Sequence, residues 1–109
     1  MVANSEPVIA HFGYWPEFSD GKIEQFSFDH QGVVGLTISY VDAEQNKNAK
    51  IRLRFSGVSE IELSELRLEN VIDSLIITNA APFIVSINAA YGLCGNFHCN
   101  EIKVASFNV

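Results

Sequence analysis

The stretch Val34-Gly35-Leu36-Thr37-Ile38-Ser39-Tyr40 decides the fold class. In an extended chain Val34, Leu36, Ile38 and Tyr40 fall on one side, and the small or polar Gly35, Thr37 and Ser39 on the other. A helix would scatter the same residues around its axis. The next apolar run keeps the period: Ile51, Leu53 and Phe55 alternate with Lys50, Arg52 and Arg54, so a strand turns all three cations toward water. Residues 23–29, 71–78, 83–88 and 101–107 are rich in Val, Ile and Phe and read as further strands. Residues 42–48 form a polar connection between the first two runs. Short strands divided by Gly, Pro and Asn, with one apolar face each, predict a mainly β chain. The expected architecture is a single-domain antiparallel β-sandwich or curled sheet over residues 1–109.

Two segments break the period. Tyr14-Trp15-Pro16-Glu17-Phe18 puts Pro16 where a first helical turn tolerates it, with Asp20-Gly21 as the stop, and predicts one short N-terminal helical turn. Residues 64–70 contain good helix formers but follow the alternating pair Ile61 and Leu63, so a strand running into a loop is preferred. If Ser56-Gly57-Val58 is a three-residue loop, the next strand folds back so that Arg54 faces Glu60 and Arg52 faces Glu62. These four charges would share one exposed face, which makes Arg52, Arg54, Glu60 and Glu62 candidate partner-binding residues. The alternative is that the chain crosses to another sheet at Gly57.

Composition narrows the function classes. The chain has 109 residues, with 13 Asp and Glu against 7 Lys and Arg, for a net charge of −6. An acidic balance argues against nucleic-acid binding, which needs a basic face to neutralise phosphates. No apolar run approaches the roughly 18 residues of a spanning helix, so no membrane is expected. The N-terminus lacks a basic segment followed by an apolar one, and two cysteines without such a signal point to reduced thiols and a cytoplasmic location.

Candidate chemistry is sparse. Cys94, His98 and Cys99 suggest metal ligands, but reading Gly95-Asn96 as a two-residue hairpin turn puts the two cysteines on one face and His98 on the other, which leaves two small buried thiols. His11 and His30 have no carboxylate or nucleophile at a meaningful spacing and read as surface or loop-anchoring residues. The glycines form no phosphate-cradling motif, and no nucleophile elbow or metalloprotease motif occurs. Glu60, Glu62, Glu65 and Glu69 read as a solvated acidic face able to attract a basic protein, rather than as an acid/base pair. No catalytic, cofactor-binding or metal-binding residue is therefore expected, and no cofactor. Phe12, Tyr14, Trp15 and Phe18 are either a core plug at one end of the sheets or an exposed recognition patch.

That aromatic segment, Phe12-Gly13-Tyr14-Trp15-Pro16-Glu17-Phe18-Ser19-Asp20, resembles the opening signature of the immunity protein 50 family of bacterial polymorphic-toxin systems. Leu53-Arg54-Phe55-Ser56-Gly57-Val58, Asn70-Val71-Ile72 and Tyr91-Gly92-Leu93-Cys94-Gly95 resemble later family pieces in the same order, so the likeness spans nearly the whole chain. Tyr14, Trp15, Pro16 and Asp20 carry the signature. One departure is Ser19, where the family usually has His, and it favours a structural role for the segment. The resemblance implies a non-enzymatic protein that binds a cognate toxin and blocks it by occlusion; a monomer or a homodimer is expected. The acidic balance suits a basic enzyme such as a nuclease as that toxin. A small-ligand or carbohydrate-binding β-sandwich using Tyr14 and Trp15 is the alternative, and an enzyme built on His11 and Asp20 is the least favoured.

Overall fold

Period-two patterning carries through to the observed architecture. A computed structural model describes residues 1–109. In chain order the elements are β1 (Val2–Ala3), α1 (Glu6–Phe12), β2 (Lys22–Asp29), β3 (Val33–Asp42), β4 (Lys47–Ser56), β5 (Ser59–Ser64), β6 (Val71–Thr78), β7 (Phe83–Tyr91), β8 (Cys94–Cys99) and β9 (Glu101–Asn108). The strands form one open sheet in the order β1-β9-β4-β3-β2-β6-β7-β8-β5. Every pairing is antiparallel except the parallel contact of β1 with β9.

The sheet curls so that its two halves face each other. Val34, Leu36, Ile38 and Tyr40 of β3 and Ala49, Ile51, Leu53 and Phe55 of β4 are buried, as the alternation requires. They meet Ile72, Leu75, Val85, Ile87, Phe97 and Cys99 from the other half in a single cluster of 21 buried residues. Phe55 touches Phe97 edge-on across the middle, with ring centroids 5.1 Å apart. The halves are stitched at one corner. β2 and β6 pair only at Lys22 and Val71, but the irregular chain before β2 extends the seam. The Asp20 N–H donates to the Ile72 carbonyl (2.7 Å), the Ile72 N–H to Gly21 (2.8 Å), the Leu75 N–H to Glu17 (2.7 Å) and the Ile23 N–H to Asn70 (2.9 Å).

This seam explains why the helix is not where Pro16 suggested. Residues 14–18 are not helical; their backbone groups serve β6 instead, and Phe18 and Asp20 take left-handed φ values of 60° and 63° that end any regular element. The helix lies earlier, at Glu6–Phe12, with Pro7 in its first turn and Gly13 closing it at φ 87°. Val8 and Phe12, four residues apart, are its buried face. Its last carbonyls, otherwise orphaned, accept hydrogen bonds from the β3–β4 hairpin: Lys47 Nζ donates to His11 (2.9 Å) and Gln45 Nε2 to Phe12 (2.7 Å). That hairpin connection is shorter than expected, since Asp42 already pairs with Lys47.

Two expected hairpins do not form. β4 is flanked by β3 and β9, so neither of its edges is free to receive β5. The chain crosses at Gly57 (φ 66°) to the far edge of the other half, where β5 pairs with β8. Arg54 therefore does not face Glu60, nor Arg52 Glu62. Gly95-Asn96 is also not a turn. Cys94–Cys99 is one continuous strand, and the reversal before it falls at Gly92 and Leu93. Gly95 sits where a Cβ would collide with the Glu62 carbonyl of β5, so this glycine permits close approach rather than a bend. In a straight strand Cys94 and His98 share the outer face, and Cys99 points into the core.

Both cysteines are free, Cys99 fully buried and Cys94 partly exposed. Burial pushes the Cys99 thiol up to about 11. At pH 8 the native protein is expected to give one fast thiol with a disulfide reagent and two after unfolding; mass mapping should place the fast one at Cys94. Phe55→Ala should lower unfolding free energy by about 3–5 kcal/mol in urea titration, because Phe97 loses its partner across the core.

Candidate functional site

The four charges expected on one face are divided between two. Arg52 and Arg54 project from the outer face of the half-sheet that contains β3, β4 and β9. Glu62 lies in the outward row of the other half, opposite Asn96, and Glu60 occupies the irregularity that shifts the β5–β8 register. The only ion pairs are Lys50 with Glu24 (2.8 Å) and Arg67 with Glu65 (2.7 Å). Glu24 is held below the usual carboxylate range by Lys50 and by the Ser39 hydroxyl.

What the fold assembles instead is an exposed loop after β5. Leu66 and Leu68 are 57% and 103% exposed, and neighbouring Tyr91 is 55% exposed. Arg67 lies over the Tyr91 ring with its guanidinium carbon 5.7 Å from the centroid. Such apolar exposure normally collapses a loop onto the body, yet this one is pinned from beneath. Asn70, buried, accepts at Oδ1 from the Arg67 N–H (3.1 Å) and the Leu93 N–H (2.8 Å), and its Nδ2 donates to the Arg67 carbonyl (2.8 Å). Gly92 (φ 87°) must lack a side chain, because a Cβ there would strike Asn70 Oδ1. Glu65, at φ 64°, takes the chain out of β5 in a conformation disfavoured for its type. Glu65 and Glu69 flank the two leucines along the loop, Glu60 and Glu62 lie on the preceding strand β5, and all four are exposed. Exposed Tyr and Arg are the residue types enriched in interaction surfaces, and the two leucines add apolar area beside them. Sequence reading missed Leu66, Leu68 and Tyr91; two leucines alternating with Glu65, Arg67 and Glu69 in a loop, with no core to face, were the available signal.

The aromatic segment is a plug. Phe12 and Phe18 are buried, both packing edge-on against Tyr40, and Trp15 stands perpendicular to Phe18 at 5.8 Å. Pro16 is buried, and Asp20 serves the seam through its backbone. Tyr14 is more exposed but engaged: its hydroxyl donates to Asp42 Oδ2 (2.7 Å) and accepts from Tyr40 (2.7 Å). Partial burial and those bonds raise the Tyr14 hydroxyl above its usual range, while the bonds from Tyr14 and Gln45 lower Asp42. Ser19 and Asp20 border the open groove that Tyr14, Tyr40 and Asp42 also line. His11 donates from Nε2 to the Asn48 carbonyl (3.1 Å), anchoring the helix to β4.

These placements give the motif pieces a common sense. A family model described as immunity protein 50 matches residues 4–109. The chain belongs to that family. No curated protein and no solved structure matches it. In this immunity protein 50 chain the pieces around Asn70 and around Gly92 are one device, since Asn70 Oδ1 bonds the Leu93 amide that Gly92 leaves accessible. The opening signature is likewise the seam and plug that hold that device against β2.

Asn70→Ala should cost about 1–3 kcal/mol in denaturation, and should speed hydrogen exchange at the Arg67 and Leu93 amides more than elsewhere. Tyr14→Phe should raise the Asp42 titration midpoint toward the ordinary value of about 3.9, followed by carboxyl-carbon NMR. Because Asp42 is depressed in the folded state, its contribution is present above the unfolded midpoint and is lost as pH falls through the folded one. The variant should thus lose part of the wild-type acid dependence of stability below about pH 4.

Proposed function

We propose that this protein neutralises a cognate bacterial toxin domain by binding and occluding it, without turnover, in the cytoplasm. The observation that carries the reading is the pinned loop of Leu66, Arg67 and Leu68 beside Tyr91, in a chain of the immunity protein 50 family. Preorganisation matters because ordering a flexible loop on binding would consume much of the affinity its side chains supply. Leu68, now wholly in water, would return about 1.5–3 kcal/mol on burial. The carboxylates of β5 and the loop suit a basic toxin, such as a nuclease, and would speed its capture. Antiparallel pairing of two copies along β5 would set Glu60 and Glu62 against their counterparts, which disfavours self-association across that edge. Two free thiols fit a reducing compartment. No helix is long and apolar enough to cross a membrane.

The test is to express any toxin domain encoded beside the gene for this chain and measure its binding. Nanomolar affinity is expected, with Leu68→Ala about tenfold weaker through faster dissociation and Glu62→Lys slower to associate at low salt. Affinity no better than millimolar would overturn the proposal.

A further inference from the structure

The outer face of the half-sheet made by β2, β3, β4 and β9 gathers most of the cations of the chain. Lys22, Lys50, Arg52, Arg54 and Lys103 are five of the seven Lys and Arg residues in a chain of net charge −6, and strand register places them on this half. Lys50 is paired with Glu24, but Arg52, Arg54 and Lys103 have no carboxylate within salt-bridge reach. Two adjacent rows cross the strands here: Ser27, Gly35, Arg54 and Lys103 in one, and Gln25, Thr37, Arg52 and Ser106 in the other. The residues in these two rows are small or polar, and the carboxylates of the same face lie at its margin: Asp29 two residues beyond Ser27 and Glu101 two residues before Lys103, both exposed.

Arg52 is held in place. Its Nη1 donates to Thr37 Oγ1 (2.9 Å) and Gln25 Oε1 (3.2 Å). Its Nη2 lies above Gly35, where a Cβ would sit 2.8 Å away, so the missing side chain is what lets the guanidinium lie flat on the sheet. A flat, immobilised fork with donors to spare suits bidentate binding of a carboxylate.

We propose that this face, centred on Arg52, Arg54 and Lys103, docks an extended acidic segment of a protein partner. Spacing supports that occupant. Arg52 and Arg54 are two residues apart on one strand, about 7 Å, and Lys103 lies across from Arg54 at about 5 Å. Alternate side chains of an extended peptide have the same repeat, so carboxylates at every second position meet the cations in register. A nucleic acid is disfavoured because the body is net anionic and the platform offers few cations to replace its counterions. The site lies on a different face from the loop assigned above to the toxin, and it stands whether or not that loop binds one.

The probe is a blocked peptide of alternating Glu and Ser, titrated at low salt into the intact protein and followed by amide NMR. Saturable shifts at Ser27, Gly35, Thr37 and Ser106 are expected, with binding weakened about tenfold or more by the double change Arg54→Gln and Lys103→Gln. Both side chains are exposed, so the double variant should retain the wild-type spectrum elsewhere. Arg52→Lys keeps the charge but loses the fork, and should weaken the peptide by an intermediate factor. Absence of saturation, shifts confined to another face, or an unchanged affinity in the double variant would overturn the proposal. So would tighter binding of an oligothymidylate or of tripolyphosphate than of the peptide, which would make the face a phosphate site.

Discussion

The seam between the irregular chain at Glu17–Gly21 and β6 is the constraint on which the rest depends. β2 and β6 share a single register pair, too little to join two half-sheets. Backbone hydrogen bonds from Glu17, Asp20, Gly21 and Ile23 complete the joint. To make them the chain adopts left-handed conformations at Phe18 and Asp20 and brings Gly21 close under the Phe18 carbonyl. Buried aromatic contacts of Phe18 with Tyr40 and Trp15 hold that conformation in place. The same seam presents the Asn70 carbonyl to Ile23 and leaves the Asn70 side chain free to organise the loop above it. One joint thus connects the opening signature to the most exposed apolar surface of the molecule.

Charge is distributed unevenly by this architecture. The curled sheet turns the outer faces of its halves away from each other, so Arg52, Arg54 and Lys103 on β4 and β9 lie apart from Glu60 and Glu62 on β5, while Glu24 and Glu101 stay with the cations and Arg67 with the acidic loop. The apolar loop carries two of the carboxylates itself, Glu65 and Glu69.

Much of the fold was legible because alternation is local. Ile51, Leu53 and Phe55 need only the pleat of one strand to declare their buried face, and the same holds for Val34 to Tyr40. Connections were less legible. Gly57 and Gly95 look alike in sequence, yet one reverses nothing within its own sheet and the other lies mid-strand beside a carbonyl. Pro16 and Pro7 are both compatible with a helix start, and only the demand of β6 for backbone partners decided between them. The candidate site was the least legible part, since Asn70 and Leu93 are distant in sequence and meet through the β6–β7–β8 meander.

The amino-acid sequence by itself determined the β class, the buried face of each main strand, the acidic balance and the family signature, because each of these is written in near neighbours or in composition. Tertiary structure alone decided which strand lies beside which, and with it where charges gather and which leucines remain in water. The physical reason is that a strand edge can pair with any other edge of suitable register. The choice among them is made by competition for space and hydrogen bonds across the whole chain, as when β9 takes the edge of β4 that β5 would otherwise have filled.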